Sequence, residues 1–340
     1  MSAWPDVLAQ CRALPKVELH AHLHGCIRAE TLALALDRSV ALQNVPETKA
    51  ALAAKLEELR TIEKRSLQEC FELFDVIHQV VVDSETLAFV TEQVIADFVA
   101  DGVRYLELRS TPRATAFMTK TEYLDTLLAA VERSEEEHSN RIMVRCLVSL
   151  DRGRPVADAW DTRDVLAALP PRQRRWIVGI DVSGNPTKGR AGDLAEVVAE
   201  LLLTVDGKLT AHCGEVDDPE DVAAILALKP HRLGHALLVP AAFKPLGVVV
   251  ECCPTSNCKT LSLRSVEEHP LIPEWLEQDQ PFVVCSDDTG VFQTTLSREL
   301  ALVAFHFSLL PAQVLALTLR ALEAAFASDV DKLQLAREIS

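Results

Sequence analysis

Lys16-Val-Glu-Leu-His20-Ala-His22-Leu-His24-Gly25 reads as a short apolar strand that ends in alternating histidines. Successive side chains of a strand point to opposite faces, so His20 and His22 share one face and can bind one cation together. The alternate residues are apolar and are predicted to pack inside: Val17, Leu19 and Ala21. The stretch predicts half of a metal site, although two polar residues at a strand end would look the same until further ligands are found.

Eight short runs of apolar and β-branched residues alternate with helical periodicity along the 340 residues. Such alternation is typical of βα units, and eight of them predict an α/β fold of the (β/α)8, or TIM, barrel type. The predicted strands are Val17–His22, Val103–Arg109, Met143–Leu150, Trp176–Asp181, Leu209–His212, Arg232–His235, Val248–Glu251 and Phe282–Ser286.

The segment between the first two predicted strands is far longer than a single crossover helix needs. It contains several helical patterns, among them Ser84–Asp101, for which Ser84 is the predicted N-cap and Gly102 the C-terminal stop. We expect residues 1–340 to form a single barrel domain, with a helical cap of about residues 28–101 over the barrel mouth.

The net charge limits the kinds of molecule that the protein is expected to bind, and the cysteine content indicates its compartment. The chain has 50 acidic residues against 34 Lys and Arg residues, and a net charge of -16 would repel nucleic acid polymers and anionic membranes. We therefore expect a small-molecule partner and a monomer or weak oligomer. The nine cysteines fit reduced thiols and a cytoplasmic location better than a disulfide framework. The sequence predicts neither a signal peptide nor a membrane span.

Polar and ionisable residues stand at the carboxyl end of strand after strand. In a TIM barrel the chemistry takes place at that face, where the loops converge. One such residue alone would be an ordinary polar strand end, but three histidines and an aspartate together suit zinc, less often iron or cobalt, rather than calcium or magnesium. The strand-end residues are His20, His22, Glu107, Arg109, Asp151, Asp181, Gly184, His212, Glu215, His235, Cys252, Cys253, Asp287 and Asp288.

The ordered set of motifs resembles the adenosine deaminase superfamily, and most of all the N6-methyl-AMP deaminases, also called adenosine deaminase-like proteins. The resemblance covers about residues 14–310. It implies a zinc-dependent aminohydrolase with the metal held by His20, His22, His212 and Asp287. The motifs that carry it are His20-Ala-His22-Leu-His24-Gly25, Tyr105-Leu-Glu-Leu-Arg-Ser-Thr-Pro-Arg113, Gly179-Ile-Asp-Val-Ser-Gly-Asn-Pro186, His212-Cys-Gly-Glu215, Arg232-Leu-Gly-His235, Cys253-Pro-Thr-Ser-Asn257 and Ser286-Asp-Asp288.

The fourth strand bears on the number of metal ions. Binuclear barrels of the amidohydrolase kind commonly use a bridging lysine carbamate from this strand, but the stretch from Trp176 to Gly184 contains no lysine. We therefore expect one zinc per chain, with an open position for a water whose pKa zinc can lower to about 7.

The resemblance also implies roles in the hydrolysis of a purine C6 amine. Glu215 is the general acid at ring N1, and His235 orients and deprotonates the attacking water. Asp288 hydrogen-bonds N7, the backbone amide of Gly184 meets N3, and Asp151 accepts a ribose hydroxyl. The alternative for the Asp287-Asp288 pair is an ordinary turn.

The residues expected around the 5′ end of the substrate differ from the known family patterns at one position. Adenosine deaminases carry an acid two residues after the second zinc histidine, and N6-methyl-AMP deaminases usually carry asparagine, so His24 departs from both. Ser110-Thr111-Pro112-Arg113 follows the methyl-AMP pattern and offers hydroxyls and a guanidinium that suit a phosphate. The alternative is that Arg113 is a solvated loop residue. His78 would by default be a core histidine, but the resemblance adds it, with His22, to the substrate contacts.

The sequence thus predicts a purine nucleotide deaminase that converts N6-methyl-AMP to IMP and methylamine. Adenosine or adenine deaminase is the alternative within the enzymes, and a catalytically silent purine-binding or protein-binding relative is the alternative outside them. The run of Cys252, Cys253 and Cys258 could indicate a second zinc site but lacks a partner pair, so core thiols are favoured. The remaining predictions are surface positions, for His138, His231 and His269.

Overall fold

Eight parallel strands, following one another in sequence order, make up one sheet in the computed structural model, which describes residues 3–60, 67–243, 247–278 and 280–339. Helices or 3-10 turns connect consecutive strands, and the predicted (β/α)8 TIM barrel is confirmed. The strands are β1 Lys16–His22, β2 Val103–Ser110, β3 Met143–Asp151, β4 Ile177–Ser183, β5 Lys208–Cys213, β6 Arg232–His235, β7 Val249–Cys252 and β8 Phe282–Val284.

The helices of the described residues form the outer layer and the long insertion after β1. Short 3-10 turns occur at Ala191–Leu194, Ala241–Phe243 and Val266–Glu268. The α-helices are α1 Trp4–Ala13, α2 Ala29–Arg38, α3 Val40–Gln43, α4 Pro46–Arg60, α5 Leu67–Val80, α6 Ser84–Ala100, α7 Lys120–Glu137, α8 Val156–Ala168, α9 Pro171–Arg174, α10 Ala195–Val205, α11 Pro219–Ala227, α12 Pro254–Thr260, α13 Leu271–Glu277, α14 Thr289–Phe292, α15 Leu296–His306, α16 Pro311–Ala324 and α17 Asp329–Ile339.

All eight predicted strands are present, with ends that differ by at most two residues. Two strands differ by two residues: β4 ends at Ser183 rather than Asp181, and β8 ends at Val284 rather than Ser286. Asp287 has a φ of 61°, in the left-handed region, so the chain turns there instead of continuing as a strand. As predicted, Val17, Leu19 and Ala21 are buried.

The barrel is closed between β8 and β1 by a short contact rather than by a ladder. Within the described residues this contact is an isolated bridge between Ala21 and Asp287. The Asp287 N–H donates to the His20 carbonyl at 2.8 Å, and the Asp287 carbonyl accepts from the His22 N–H at 3.2 Å. Two backbone hydrogen bonds therefore hold the carboxyl ends of the first and last strands together.

A buried carboxylate reinforces this closure. Glu18 lies on β1 and is fully buried. One of its oxygens accepts the His20 N–H at 2.9 Å, and the other accepts the N–H and the hydroxyl of Ser286 at 3.0 and 2.6 Å. Because Ser286 follows β8, the Glu18 side chain ties the last strand to the first. We call Glu18, Ser286 and the Ala21–Asp287 bridge the seam.

The prediction that Ser84 caps α6 is wrong. Asp83 is the N-cap, and its carboxylate accepts the Thr86 N–H at 2.9 Å. The second oxygen of the same carboxylate accepts the Ser39 hydroxyl at 2.9 Å and the Ala41 N–H at 3.1 Å. An aspartate supplies more acceptor capacity than a serine and a negative charge that suits a helix N-terminus. The helix ends at Ala100, just before the predicted stop.

The insertion between β1 and β2 contacts the loop that follows β2. Arg113 donates to the carbonyls of His78 and Val81 at 2.7 and 3.0 Å, and the Thr115 hydroxyl donates to the Val82 carbonyl at 2.6 Å. The end of α5 is thereby attached to the carboxyl face of the barrel, where β2 ends.

Two features bear on the compositional predictions. All nine cysteines are free thiols, and eight of them are buried. No helix formed by the described part of the chain is long and apolar enough to cross a membrane.

Candidate functional site

The four predicted metal ligands come together at the carboxyl face of the barrel. The His22 Nε2 atom lies 3.2 Å from the Nε2 atoms of both His20 and His212. The Asp287 Oδ1 atom lies 3.4 Å from the His20 Nε2 and 3.5 Å from the His22 Nε2. Two ligands of a tetrahedral zinc ion, each about 2.1 Å from it, lie about 3.4 Å apart. The spacing and the donor set of three imidazoles and one carboxylate therefore fit a zinc ion.

Two buried carboxylates hold the imidazoles from behind. The His20 Nδ1 lies 2.7 Å from Glu251 Oε2, and the His212 Nδ1 lies 3.2 Å from Asp181 Oδ1. A carboxylate on Nδ1 fixes the ring orientation and leaves Nε2 to face a metal. Glu251 was not predicted as a site residue at all, and Asp181 was predicted only as a polar strand-end residue without a role, although each is a charged residue inside a buried strand.

Arg109 connects the two supporting carboxylates. Its guanidinium donates to Asp181 at 3.1 Å and to Glu251 at 2.5 Å, and all three side chains are fully buried. Burial opposes ionisation of Glu251, but Arg109 and Arg232 outweigh it and hold the pKa of this carboxyl well below its usual range. His20 and His212 are therefore both hydrogen-bonded to one ionic network inside the barrel.

Glu215 and His235 lie together beside the metal site. The His235 Nε2 is 3.9 Å from Glu215 Oε1. The rings of His235 and His20 are 5.0 Å apart between centroids, and those of His235 and His212 are 5.1 Å apart. Burial raises the pKa of Glu215 and lowers that of His235, so a protonated carboxyl and a neutral imidazole are favoured here.

Asp288 occupies a buried position between the first and last strand ends. Its Oδ1 has no hydrogen-bond partner among the described residues. A Cβ atom at Gly25 would lie 1.7 Å from this oxygen, so only glycine fits at position 25. Burial and the charge of Asp287 raise the pKa of Asp288 well above its usual range. A buried oxygen without a partner is a suitable contact for a ligand atom.

A second group of predicted site residues lies around Arg113. Arg113 is buried, so the alternative of a solvated loop residue is wrong. The His24 and His78 rings are 5.3 Å apart, and burial together with Arg113 lowers the pKa of both histidines, that of His78 to about 3. The Ser110 hydroxyl lies 2.6 Å from the Tyr123 hydroxyl. Thr111 is half-buried and Pro112 is buried on the same loop.

The Arg113 guanidinium donates to two backbone carbonyls rather than to a carboxylate, and its Nε has no partner in the described part of the chain. The Nε2 of His24 is also buried without a partner. A buried cation without a carboxylate beside it is costly unless an anion completes the site. This group can therefore receive an anion.

Asp151 and Gly184 lie side by side at the ends of β3 and β4. A Cβ atom at Gly184 would lie 2.1 Å from Asp151 Oδ1, and Gly184 has a φ of 98°, so glycine is required on both counts. Asp151 Oδ1 accepts the Gly153 N–H at 2.9 Å. The Asp151 carboxylate and the Gly184 backbone therefore lie side by side at the strand ends, and their contacts with a ribose hydroxyl and N3 stay a prediction.

Two other predictions can be compared with the structure. His269 was expected at the surface, but it is buried. Both of its ring nitrogens have hydrogen-bond partners, which offset the cost of burying a polar ring. The cysteine run does not form a separate cluster: Cys252 and Cys253 pack in the core and Cys258 is half-buried. The Cys253 sulfur does lie within 4.8 Å of ligand atoms of His235 and Asp287.

Comparisons with known proteins agree with the fold. The adenosine deaminase family model matches residues 15–340. The N6-mAMP deaminase of Arabidopsis thaliana is 36% identical over 352 residues, which cover 95% of this chain and 96% of the relative.

Solved structures of high similarity exist. The apo N6-methyl-AMP deaminase from Arabidopsis thaliana has a TM-score of 0.86 at 33% identity, covering 98% of both chains. The Arabidopsis ADAL complexed with IMP has a TM-score of 0.85 at 34% identity, covering 97% of both chains. With a family match from residue 15 onward and such identity over nearly the full length, the chain belongs to the adenosine deaminase family.

Proposed function

We propose that this protein is a zinc-dependent purine nucleotide deaminase that hydrolyses N6-methyl-AMP to IMP and methylamine. The observation that carries the proposal is the convergence of three imidazoles and a carboxylate, 3.2 to 3.5 Å apart, beside the protonatable pair Glu215 and His235. The relative named N6-mAMP deaminase and the similar structure complexed with IMP support a nucleotide as the substrate.

The reaction needs a nucleophile at C6, a proton on N1 and a proton for the departing amine. A zinc ion held by His20, His22, His212 and Asp287 would supply a water whose pKa is lowered to about 7. Glu215 delivers a proton to N1, which allows C6 to accept the attacking oxygen. The proton that the water releases on attack restores Glu215. When the C6–N6 bond breaks, the new C6 hydroxyl becomes the carbonyl, and the proton it loses leaves with the amine.

The purine and its ribose are held by side chains and a backbone amide at the ends of the strands. The Asp288 Oδ1, buried without a hydrogen bond within the described residues, meets N7. The Gly184 amide meets N3, and the adjacent Asp151 accepts a ribose hydroxyl. His22, the most exposed of the three zinc histidines, borders the space for the base. Together these contacts place C6 towards Glu215 and His235.

The group around Arg113 receives the 5′ phosphate. Arg113 carries the charge, and His24, His78, Ser110 and Thr111 surround it. The buried Nε2 of His24 supplies a donor to a phosphate oxygen where other family members have asparagine or an acid. A nucleoside would leave the buried guanidinium without an anion, so the arrangement favours a nucleotide.

Further expectations belong to the same proposal. We place residues 1–340 in one hydrolase domain, with a cap of about residues 28–101 over the site. Free thiols suit the reducing cytoplasm, and the net charge of -16 suits a monomer or weak oligomer without nucleic acid or membrane partners.

A panel of four substrates tests the proposal: adenosine, AMP, N6-methyladenosine and N6-methyl-AMP. We expect N6-methyl-AMP to give the highest kcat/KM, with IMP and methylamine as products. A preference for adenosine would replace the proposal by a nucleoside deaminase. No turnover of any of the four by zinc-loaded protein would favour a catalytically silent relative.

A further inference from the structure

The side of His235 that faces the reacting centre can either donate or accept a hydrogen bond. Its ring packs against His20 and His212, and its Nδ1 lies 3.0 Å from the Asn257 Nδ2 on the opposite side. A neutral imidazole carries its proton on one nitrogen only. The contacts of Nδ1 determine whether Nδ1 or Nε2 carries this proton.

The chain of contacts behind His235 begins at two backbone amides. The N–H groups of Leu271 and Ile272, at the start of α13, point at the Nδ1 of His269 from 3.3 and 3.2 Å. A backbone N–H can only donate, so this Nδ1 must be an acceptor. Burial lowers the pKa of His269 to about 4, and the neutral ring therefore carries its proton on Nε2.

The orientation of the next side chain follows from this proton. The His269 Nε2 lies 3.3 Å from Asn257 Oδ1, and it donates to that oxygen. The Cys252 thiol, 3.8 Å from the same oxygen, is a second donor. The carbonyl side of the Asn257 amide therefore faces His269, and its NH₂ group faces His235.

The last contact fixes the ring of His235. The Asn257 Nδ2 lies 3.0 Å from the His235 Nδ1. Because the amide nitrogen donates, the His235 Nδ1 accepts, and the proton of the neutral ring lies on Nε2. That nitrogen is the one 3.9 Å from Glu215, on the side of the reacting centre.

We propose that His269 and Asn257 are positioning residues that fix His235 as the Nε2–H tautomer, so that His235 meets the attacking water as a hydrogen-bond donor and not as its base. The role towards water rests on the proposed function, whereas the tautomer does not. It departs from the expected role of His235 as the group that deprotonates the water. In this arrangement His235 holds the attacking oxygen in place, and its Nε2 cannot take a proton while it carries one.

Nitrogen-15 NMR of zinc-loaded protein with labelled histidines measures the tautomer directly, without substrate. We expect a directly bonded proton on the His235 Nε2 and none on its Nδ1, with the signal assigned by its loss in His235→Gln. A proton on Nδ1 in the wild type would overturn the proposal. His231 is an internal reference, because its Nδ1 accepts the Leu209 N–H at 3.1 Å and its neutral form must also carry the proton on Nε2.

Two variants test the positioning residues themselves. In Asn257→Asp the carboxylate accepts from both neighbouring rings, so we expect the His235 proton to move to Nδ1. We expect kcat to fall at least about tenfold while KM stays within about threefold. His269→Phe removes the stronger of the two donors to the Asn257 Oδ1 and leaves only the weak Cys252 thiol, so it should give a mixture of the two His235 tautomers while the His231 signal stays unchanged.

A His235 that remains purely Nε2–H in both variants would overturn the assignment of His269 and Asn257. Should either variant fail to fold, the wild-type spectrum still decides the tautomer. The substrate panel is independent of this measurement, so failure of the proposed function and failure of this inference are distinguishable.

Discussion

Glu215 would supply the N1 proton, and replacement by glutamine removes that proton while it keeps the shape of the side chain. We expect Glu215→Gln to retain its fold and its zinc but to lose turnover by roughly 10²- to 10⁴-fold, the usual contribution of general acid catalysis. Steady-state kinetics and metal analysis measure the two effects. His212→Ala, in contrast, should lose zinc as well as activity. Near-normal kcat in Glu215→Gln would show that the proton comes from another group.

Arg113 is the residue that distinguishes a nucleotide from a nucleoside. We expect Arg113→Ala to lower kcat/KM for N6-methyl-AMP by at least about tenfold, which corresponds to roughly 1.4 kcal/mol of transition-state stabilisation. Any activity on the nucleoside should hardly change, because the nucleoside has no phosphate to lose. An equal loss on both substrates would contradict phosphate binding by Arg113.

Thr115→Val is the matched control for this substitution. Arg113 also holds the end of α5 through two backbone carbonyls, so its removal could act through the fold. Thr115 makes the same kind of attachment through its hydroxyl but carries no charge. We expect Thr115→Val to change kcat/KM for both substrates by the same small factor.

At the scale of elements, the seam between β1 and β8 places one zinc ligand relative to the others. Each oxygen of Glu18 faces a backbone N–H, so Glu18→Gln must turn its NH₂ group towards one of these donors. We expect the Kd for zinc to rise at least about tenfold, as it does when other groups that support metal ligands are replaced. Titration with a zinc indicator measures it.

Glu299→Gln is the control for general destabilisation. Glu299 is also fully buried and accepts the N–H and hydroxyl of one residue, Thr255, at 2.8 and 2.6 Å, but it joins α15 to α12. Both variants should unfold at lower temperature, while only Glu18→Gln should lose zinc affinity. If the two variants lose zinc affinity equally, the seam has no special part in holding the metal.

The strands were predictable because each is a short segment rich in apolar and β-branched residues between helical patterns, which is a local signal. The first residue of a helix depends on small energy differences between neighbouring residues that can act as the N-cap. In α6 this residue is Asp83 rather than the adjacent Ser84. The seam had no local signal at all, since Glu18 and Ser286 are far apart in sequence. A charged residue in an apolar strand, such as Glu18 or Glu251, was the one available indication of a buried network.

The predicted metal ligands and substrate contacts came from motif resemblance, and the structure places them in three groups on one face. Residues that act through others were missed, because hydrogen-bond partners depend on the folded geometry. His269 illustrates this: its sequence context suggested the surface, yet two backbone amides and an asparagine enclose it.

For the whole molecule, we expect purified protein to contain about one zinc per chain, because the described residues supply one set of four ligands and β4 offers no lysine. A ligand that binds the native state at 100 times its Kd stabilises it by about 2.7 kcal/mol. Removal of zinc by a chelator should therefore lower the unfolding temperature and abolish activity together. Two tightly held metals, or activity that survives complete removal, would contradict the mononuclear mechanism.

The order of the ligands along the chain has a consequence for biosynthesis. His20 and His22 leave the ribosome before the other ligands, whereas Asp287 and its seam partner Ser286 follow only after seven strands have been made. Because domains are synthesised from the N-terminus, the growing chain holds a histidine pair without its carboxylate while the residues between His22 and Asp287 are translated. A nascent chain that stops before β8 has neither a closed barrel nor a complete metal site. All four ligands can therefore bind a zinc ion only after β8 and Asp287 have been synthesised.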